Sequence, residues 1–418
     1  MVEKIRIGLP ESSLPFVPPA DKFLFYLGMP GGVSGVISKL SRCPNNTKPI
    51  DPKTVRKAVR EGVSPRSFSQ IKGILDSVVT PEMYEYIASP YLAPWMETTL
   101  RQNGLSWLCI ARGMHFRAFP ATRPETFTEQ FIKSRAELEM ELLQTGLDIQ
   151  KNSSTPEAFD ERWCEYLSDF LKQHTEVEPS IIDRGLQTWI ALKSRADQPS
   201  KDQAGLLLGL YTRLRVDFYY QLLCNLSIDL IQWFKDRAGL DEHEQWLVEN
   251  SLFGDMLPEF DGEKLILPFE KLLDAWRRNA APDGGDLSWA RIAQCLPNPQ
   301  GLDTEKQSLA PGQTRNDRNV SIVKNKKSRL REWRQGTRPK SNQLEQFILN
   351  LIPNGNDASS AIMRADIACI WGEFIQDELA LFGELGLIDA RYEATSAFNL
   401  YPTYWAGYKA QAAQIVAA

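Results

Sequence analysis

The stretch "REWRQGTRPKSNQLEQFILNL", residues 331–351, joins a basic segment to an amphipathic pattern. Gly336 suits the left-handed residue that often ends a helix. Ser341, which follows Pro339, suits the N-cap of the next helix. The second half of the stretch then places apolar residues at the i, i+3, i+4, i+7 spacing of one helix face: Leu344, Phe347, Ile348 and Leu351. The stretch therefore predicts two helices joined by a short turn, each with one buried face.

The first of these helices is strongly basic. Residues 315–340 contain ten Lys or Arg against two acids, a net charge of +8, so the rest of the −5 chain carries −13. If residues 326–335 form a helix, Leu330 and Trp333 share a face that can dock onto a core. Lys327, Arg331 and Arg334 then fall at i, i+4, i+7 as a basic stripe. A short helix anchored on one face and cationic on another can neutralise phosphates and pair with guanine in the DNA major groove.

Length and composition are those of a soluble protein of more than one domain. The chain has 418 residues, of which 43% are apolar and 24% charged, enough for a large core. No apolar run approaches the roughly 20 residues needed to span a bilayer. The N-terminus lacks the pattern of a secretory signal, and the six cysteines are widely spaced without a CxxC pair. We therefore expect reduced thiols and a cytoplasmic location.

Helical periodicity dominates from about residue 80 onward and predicts an all-α, multi-helical fold. Asp261-Gly262 between short apolar stretches predicts one small β-hairpin near residues 257–268. The predicted helices of the body are residues 126–149, 158–174, 181–195 and a long central one at 202–237, which a single break would divide. The predicted regions are an N-terminal one (1–90), a central helical domain (91–256), a second basic unit (257–352) with a flexible polar insertion (297–319), and a C-terminal helical segment (353–418).

Residues 286–352 resemble lambda-repressor-like helix-turn-helix domains. The resemblance rests on Trp333, Gly336, Arg338 and Pro339 followed by the apolar helix, with "LSWARIAQCLP" (287–297) as the preceding helix. In that family the two helices are separated by a few residues, whereas roughly thirty intervene here. Either the turn carries a long insertion or another segment is the first helix. The resemblance implies DNA contacts from the basic helix and its flanks, at Lys326, Lys327, Arg331, Arg334, Arg338 and Lys340.

A weaker echo of this pattern lies at residues 32–77. "TVRKAVREGVSPRSFSQIKGIL" (54–75) aligns without gaps on "SRLREWRQGTRPKSNQLEQFIL" (328–349), which pairs Gly62 with Gly336 and Pro65 with Pro339. The other matched pairs are Arg60/Arg334, Arg66/Lys340, Ser67/Ser341, Ile74/Ile348 and Leu75/Leu349. The cations predicted to contact DNA here are Lys53, Arg56, Lys57, Arg60 and Arg66. Two helix-turn-helix-like units in one chain would address two half-sites, as dimers of single units do.

These patterns predict a non-catalytic protein that binds double-stranded DNA in a sequence-specific way. No Cys/His cluster has ligand spacing and no catalytic motif is evident, so neither metal nor cofactor is expected. One alternative is an all-helical adaptor whose basic segment docks onto an acidic protein. Another follows from Arg237 and His243, whose R-x5-H spacing resembles the motif of HEPN ribonucleases. The central helices could also serve a homo-oligomer or a protein partner.

Overall fold

The structure is a computed structural model. It describes residues 50–51, 53–54, 57–58, 61–78, 125–193, 199–238, 244–279, 286–298, 315–352 and 358–417. Over these residues the fold is all-α apart from one two-stranded sheet, as predicted. The chain forms two compact units, the first comprising residues 1–251, 385–394 and 403–418 and the second comprising 252–384 and 395–402.

The first unit is built around one long helix. Helix α5 runs without a break from Lys201 to Ala238 and buries most of its central residues. The helices before it are α1 (Pro65–Val78), α2 (Phe127–Lys151), α3 (Pro156–His174) and α4 (Pro179–Lys193), and α6 (Glu244–Asn250) follows it. Helix α2 begins with the capping box of Thr126 and Glu129, which satisfies two otherwise unpaired N–H groups. The predicted helices of the body are therefore confirmed with their ends shifted by a few residues.

A polar cluster lies inside the core of the first unit. Asp217, which is 1% exposed, accepts hydrogen bonds from the Tyr404 hydroxyl and from the Glu176 backbone N–H, both at 2.9 Å. Gln221 donates a further hydrogen bond to this carboxylate. Burial raises the pKa of Asp217, while the positive charge of Arg135 opposes the rise. The cluster joins α5 to residues on three other segments of the unit: Tyr404, Glu176 and Arg135.

The second unit contains the hairpin and the basic region. Strands β1 (Glu259–Phe260) and β2 (Leu265–Ile266) pair antiparallel, and Gly262 adopts a φ of +97° in the turn. The predicted hairpin is confirmed. Its helices are α7 (Pro268–Asn279), α8 (Trp289–Gln294), α9 (Arg315–Arg334), α10 (Ser341–Leu351) and α11 (Ala358–Glu384), and short 3-10 turns lie at Gly254–Met256 and Ser396–Asn399. Two helices that follow in the chain, α12 (Ile388–Thr395) and α13 (Tyr401–Ala417), belong mainly to the first unit.

Helices α7 to α11 share one apolar core. Trp333 lies at its centre, with its ring 5.6 Å from that of Phe347 in an edge-on arrangement and 6.3 Å from that of Phe269. The predicted apolar face of α10 is buried in this core at every one of its four positions: Leu344, Phe347, Ile348 and Leu351. The amphipathic pattern thus determines how α10 packs.

One predicted boundary is wrong. The polar segment 297–319 was expected to be a loop throughout, but α9 begins at Arg315, so its last five residues are helical. The last helix breakers of the segment are Pro311 and Gly312, and nothing after them opposes a helix. Because that part of α9 is charged and polar rather than apolar, the periodicity that reveals a buried helix is missing there.

Candidate nucleic-acid interface

Helix α9 has one face in the core and one in solvent. Ile322, Leu330 and Trp333 are 8%, 3% and 4% exposed, and they lie on one side of the helix. The opposite side carries Lys327 and Arg331, both exposed. The predicted anchoring of the basic helix by Leu330 and Trp333 is confirmed, and the anchor fixes which side of the helix faces outward.

The exposed side carries a row of three cations. Lys324 precedes Lys327 by three residues and Arg331 by seven, so the three project within a narrow sector and span about 10 Å along the helix axis. Within the described part of the chain, none of the three side chains makes a hydrogen bond or an ion pair. We call Lys324, Lys327 and Arg331 the cationic row. Lys324 was missed as a candidate contact because the predicted helix began only at residue 326.

Arg334 was predicted to continue the stripe but is turned toward the core. Its guanidinium donates to Glu270 Oε1 at 2.6 Å and lies over the ring of Trp289, 3.9 Å from the ring centroid. The Arg334 side chain is 28% exposed and that of Glu270 13% exposed. Arg334 therefore ties α9 to α7 and α8, and its charge is already neutralised within the fold.

Trp289 is held from a second direction by Arg277. That guanidinium lies 5.5 Å from the Trp289 ring centroid and forms ion pairs with Asp274 at 2.8 Å and Asp286 at 2.7 Å. Arg278 is a second ion-pair partner of Asp274. The cation–π contacts and the ion pairs together fix α8 against α7 and α9.

The turn after α9 is held by α11. Gly336 adopts a φ of +96°, the left-handed conformation that favours glycine at a helix end. Gln376 of α11 donates to the backbone oxygen of Gln335 beside it. Arg338, another predicted contact, forms an ion pair with Glu373 of α11 at 3.3 Å. These contacts hold the turn between α9 and α10 against α11.

The two remaining candidates of this unit differ from each other. Lys326 donates to the backbone oxygen of Gln294 at 3.2 Å, and burial lowers the pKa of its ammonium group. Lys340 is exposed and is the N-cap residue of α10, without a side-chain cap. Lys340 therefore takes the N-cap position that was predicted for Ser341. Of the six predicted cations, Lys327, Arg331 and Lys340 face solvent, whereas Lys326, Arg334 and Arg338 are engaged inside the unit.

The N-terminal echo is described in part. Lys53, Lys57 and Arg66 are exposed, whereas Arg56 and Arg60 lie outside the described residues. Gly62 adopts a φ of +81°, and the Glu61 N–H donates to the Lys57 oxygen at 2.8 Å. Ser64 caps α1, since its hydroxyl accepts from the Ser67 N–H at 3.3 Å, and Pro65 is the first helical residue. A capping serine followed by proline at the first helical position is thus the start of α1.

The pair of residues with HEPN-like spacing is described only in part: Arg237 lies in the last turn of α5. His243 lies outside the described residues, just beyond the end of α5 at Ala238. The described residues contain no group of His, Cys, Asp and Glu side chains arranged to hold a metal ion. No helix in the described ranges is long and apolar enough to cross a membrane.

Four of the six cysteines lie within the described residues. Cys164, Cys224, Cys295 and Cys369 are free thiols, whereas Cys43 and Cys109 lie outside the described residues.

Comparison of the chain with protein-family models, with curated proteins and with solved structures finds no match. We therefore infer the function from the residues of α9 and from those that pack around it.

Proposed function

We propose that this chain is a non-catalytic, sequence-specific DNA-binding protein that inserts α9 into the major groove of a duplex. The observation that carries the proposal is the cationic row: three exposed cations on a helix whose other side is anchored in a five-helix core. The major groove, about 12 Å wide, admits one α-helix. The row spans about 10 Å along α9, which is close to the width of that groove.

The state of the cations supports this choice. Lys324, Lys327 and Arg331 have no intramolecular partner among the described residues, so a bound phosphate would not have to displace an existing ion pair. Arg334 and Arg338, in contrast, already pair with Glu270 and Glu373. We assign the first three, with Lys340, to DNA contact and the other two to holding α9 in position. A second, similar surface is proposed around Lys53, Lys57 and Arg66.

A cytoplasmic location fits this proposal. The four described cysteines are free thiols, and three of them are buried, as is usual for a protein that folds in a reducing compartment.

The test is a fluorescence-anisotropy titration against duplex DNA at several salt concentrations. Each phosphate contact contributes about 0.9 to the slope of log affinity against log salt. The double substitution Lys327→Ala/Arg331→Ala should therefore lower the slope by about 1.8, and the affinity at 0.1 M salt by about sixtyfold, if counterion release dominates. Salt-dependent binding that the double substitution leaves intact would refute the assignment.

A charge-matched control separates the row from net charge. Lys133→Ala/Lys151→Ala also removes two positive charges, from side chains that are 55% and 61% exposed on α2. We expect this control to retain both the slope and the affinity of the unmodified protein. Equal losses in the two double variants would show that binding responds to overall charge alone.

One observation favours a second function. Val320 is 61% exposed and lies on the same side of α9 as the cationic row, a combination that also suits an acidic protein partner with apolar contacts. In that case duplex DNA would not bind even at low salt, and the cationic row would be a docking surface of an adaptor. The same titration distinguishes the two functions.

A further inference from the structure

Two valines on α9 are exposed where a helix of a folded protein would ordinarily carry polar groups. Val320 is 61% exposed and Val323 is 38% exposed. They lie among Ser321, Lys324 and Asn325, all of which face solvent. Exposing a β-branched side chain on a polar helix gains nothing in packing and slightly lowers helix propensity. The two valines therefore add little to the packing of α9 and are available for contact with a partner.

Val320 belongs to the same row as the proposed DNA contacts. Residues 320, 324, 327 and 331 follow at spacings of four, three and four, which keeps them on one side of an α-helix. Val323 lies to the side of this row, which agrees with its lower exposure. Any surface that covers Lys324, Lys327 and Arg331 at once must therefore also meet Val320.

The chemical groups of a DNA duplex limit which of its atoms Val320 can contact favourably. The charged phosphate oxygens gain nothing from contact with a valine. On the base edges of the major groove, the 5-methyl group of thymine is the apolar feature, and apolar side chains recognise it. The concentrated positive charge of residues 315–340 favours a polyanion over an apolar protein surface as the occupant.

We propose that Val320 contacts the 5-methyl group of a thymine in the site bound by α9, so that the preferred duplex contains thymine at one fixed position. This inference rests on the proposed DNA-binding function and adds to it a base-reading residue. The cationic row supplies affinity through phosphates, and Val320 supplies part of the sequence preference. Val323, farther from the row, contributes less.

The experiment has two stages. The full-length protein is first used to select preferred duplexes from a random 30-bp library. The selected duplex is then synthesised in two forms, one with thymine and one with deoxyuridine, which lacks only the 5-methyl group. Affinities for both forms are measured for the unmodified protein, for Val320→Ala and for Leu349→Ala. Leu349 is a matched control because it is an exposed apolar residue of the same unit, 41% exposed, on α10.

The expected result is a coupling between the methyl group and the Val320 side chain. Loss of one buried methyl group lowers affinity by about fourfold, so the unmodified protein and Leu349→Ala should bind the deoxyuridine duplex about fourfold more weakly. Val320→Ala should bind both forms equally. Circular dichroism should show that Val320→Ala keeps its helix content, because the side chain is exposed.

Each other outcome overturns the inference in a distinguishable way. If the unmodified protein binds both forms equally, or if selection finds no preferred sequence, no thymine methyl is read, although salt-dependent binding would leave the proposed function intact. If Val320→Ala still loses fourfold with deoxyuridine, another residue reads the methyl group. If no form binds even at low salt, DNA binding itself is excluded and a protein partner becomes the occupant of the row.

Discussion

Two arginines three residues apart on α9 should respond in opposite ways to the same substitution. Arg331 is exposed and has no intramolecular partner among the described residues. Arg334 pairs with Glu270 at 2.6 Å and stacks on Trp289. We expect Arg331→Ala to weaken DNA binding at unchanged stability, and Arg334→Ala to destabilise the second unit. The two substitutions together therefore test which side of α9 faces solvent.

The magnitude follows from the contacts of Arg334. A hydrogen bond between charged groups contributes about 1.5–3 kcal/mol when part-buried, and an exposed cation–π contact about 0.5–1 kcal/mol. Because the Arg334 side chain keeps 28% of its exposure, the lower ends of both ranges apply and the expected loss is about 2 kcal/mol. Glu270 would retain Lys264 at 3.4 Å, which limits the cost of leaving its carboxylate behind. Arg331→Ala should change stability by less than about 0.5 kcal/mol.

Urea unfolding measures this difference directly. With a denaturant slope of about 2 kcal/mol per molar, a loss of 2 kcal/mol lowers the midpoint by about 1 M. Because the chain has two units, circular dichroism and tryptophan fluorescence should both be followed, so that separate transitions are seen. A double-mutant cycle with Glu270→Gln should give a coupling energy of about 1 kcal/mol between the two side chains. The reasoning fails if Arg334→Ala abolishes DNA binding while its midpoint stays where it was.

Three further outcomes are expected. Gly336→Ala should lower the free energy of unfolding, measured in urea, by about 1–2 kcal/mol, because φ is +96°. The second substitution Gln376→Ala removes the amide that the new methyl group would meet. The double variant should still show most of the loss, because the backbone strain remains. Burial raises the pKa of Asp217, so the native state keeps this proton to a higher pH than the unfolded chain, whose Asp pKa is about 3.9. Stability should therefore fall as pH rises above about 4 through the raised pKa, and in Tm measured against pH the Asp217→Asn profile should lack this fall; parallel profiles would contradict it. Lys57→Ala/Arg66→Ala should lower the salt slope of DNA binding by about 1.8 without changing Tm, and an unchanged slope would remove the N-terminal region from the interface.

The fold was predictable where the sequence carries a clear period. The apolar face of α10 and the anchors Leu330 and Trp333 follow from i, i+3 and i+4 spacing, and all are buried. The hairpin followed from Asp261-Gly262, because few residues other than glycine tolerate the φ of that turn. The start of α9 was missed because a solvated, charged helix has no apolar period and is distinguished from a loop mainly by the lack of breakers.

The candidate site was predictable only in outline. Charge density identified the basic segment, but helical spacing alone placed Arg334 beside Arg331 on one stripe. The partners that turn Arg334 inward, Glu270 and Trp289, lie 64 and 45 residues earlier in the chain. No local pattern reveals such a contact, because it depends on how α7 and α8 pack against α9. The same holds for Arg338, whose partner Glu373 lies on α11.

Residues 57–71 and their counterparts 331–345 share the geometry of a turn but not their buried positions. Each segment contains a left-handed glycine, Gly62 or Gly336, and the Glu61 N–H donates to the Lys57 oxygen just as the Gln335 N–H donates to the Arg331 oxygen. The buried positions do not follow: Ala58 and Ile71 are fully buried, yet they align with exposed glutamates at 332 and 345. No single shift of the alignment places both on buried positions of α9 and α10. A helix end followed by proline constrains glycine and proline but not the core behind it, so the equivalence of the two units stays a prediction. It depends on whether Lys57, the counterpart of Arg331, binds phosphate.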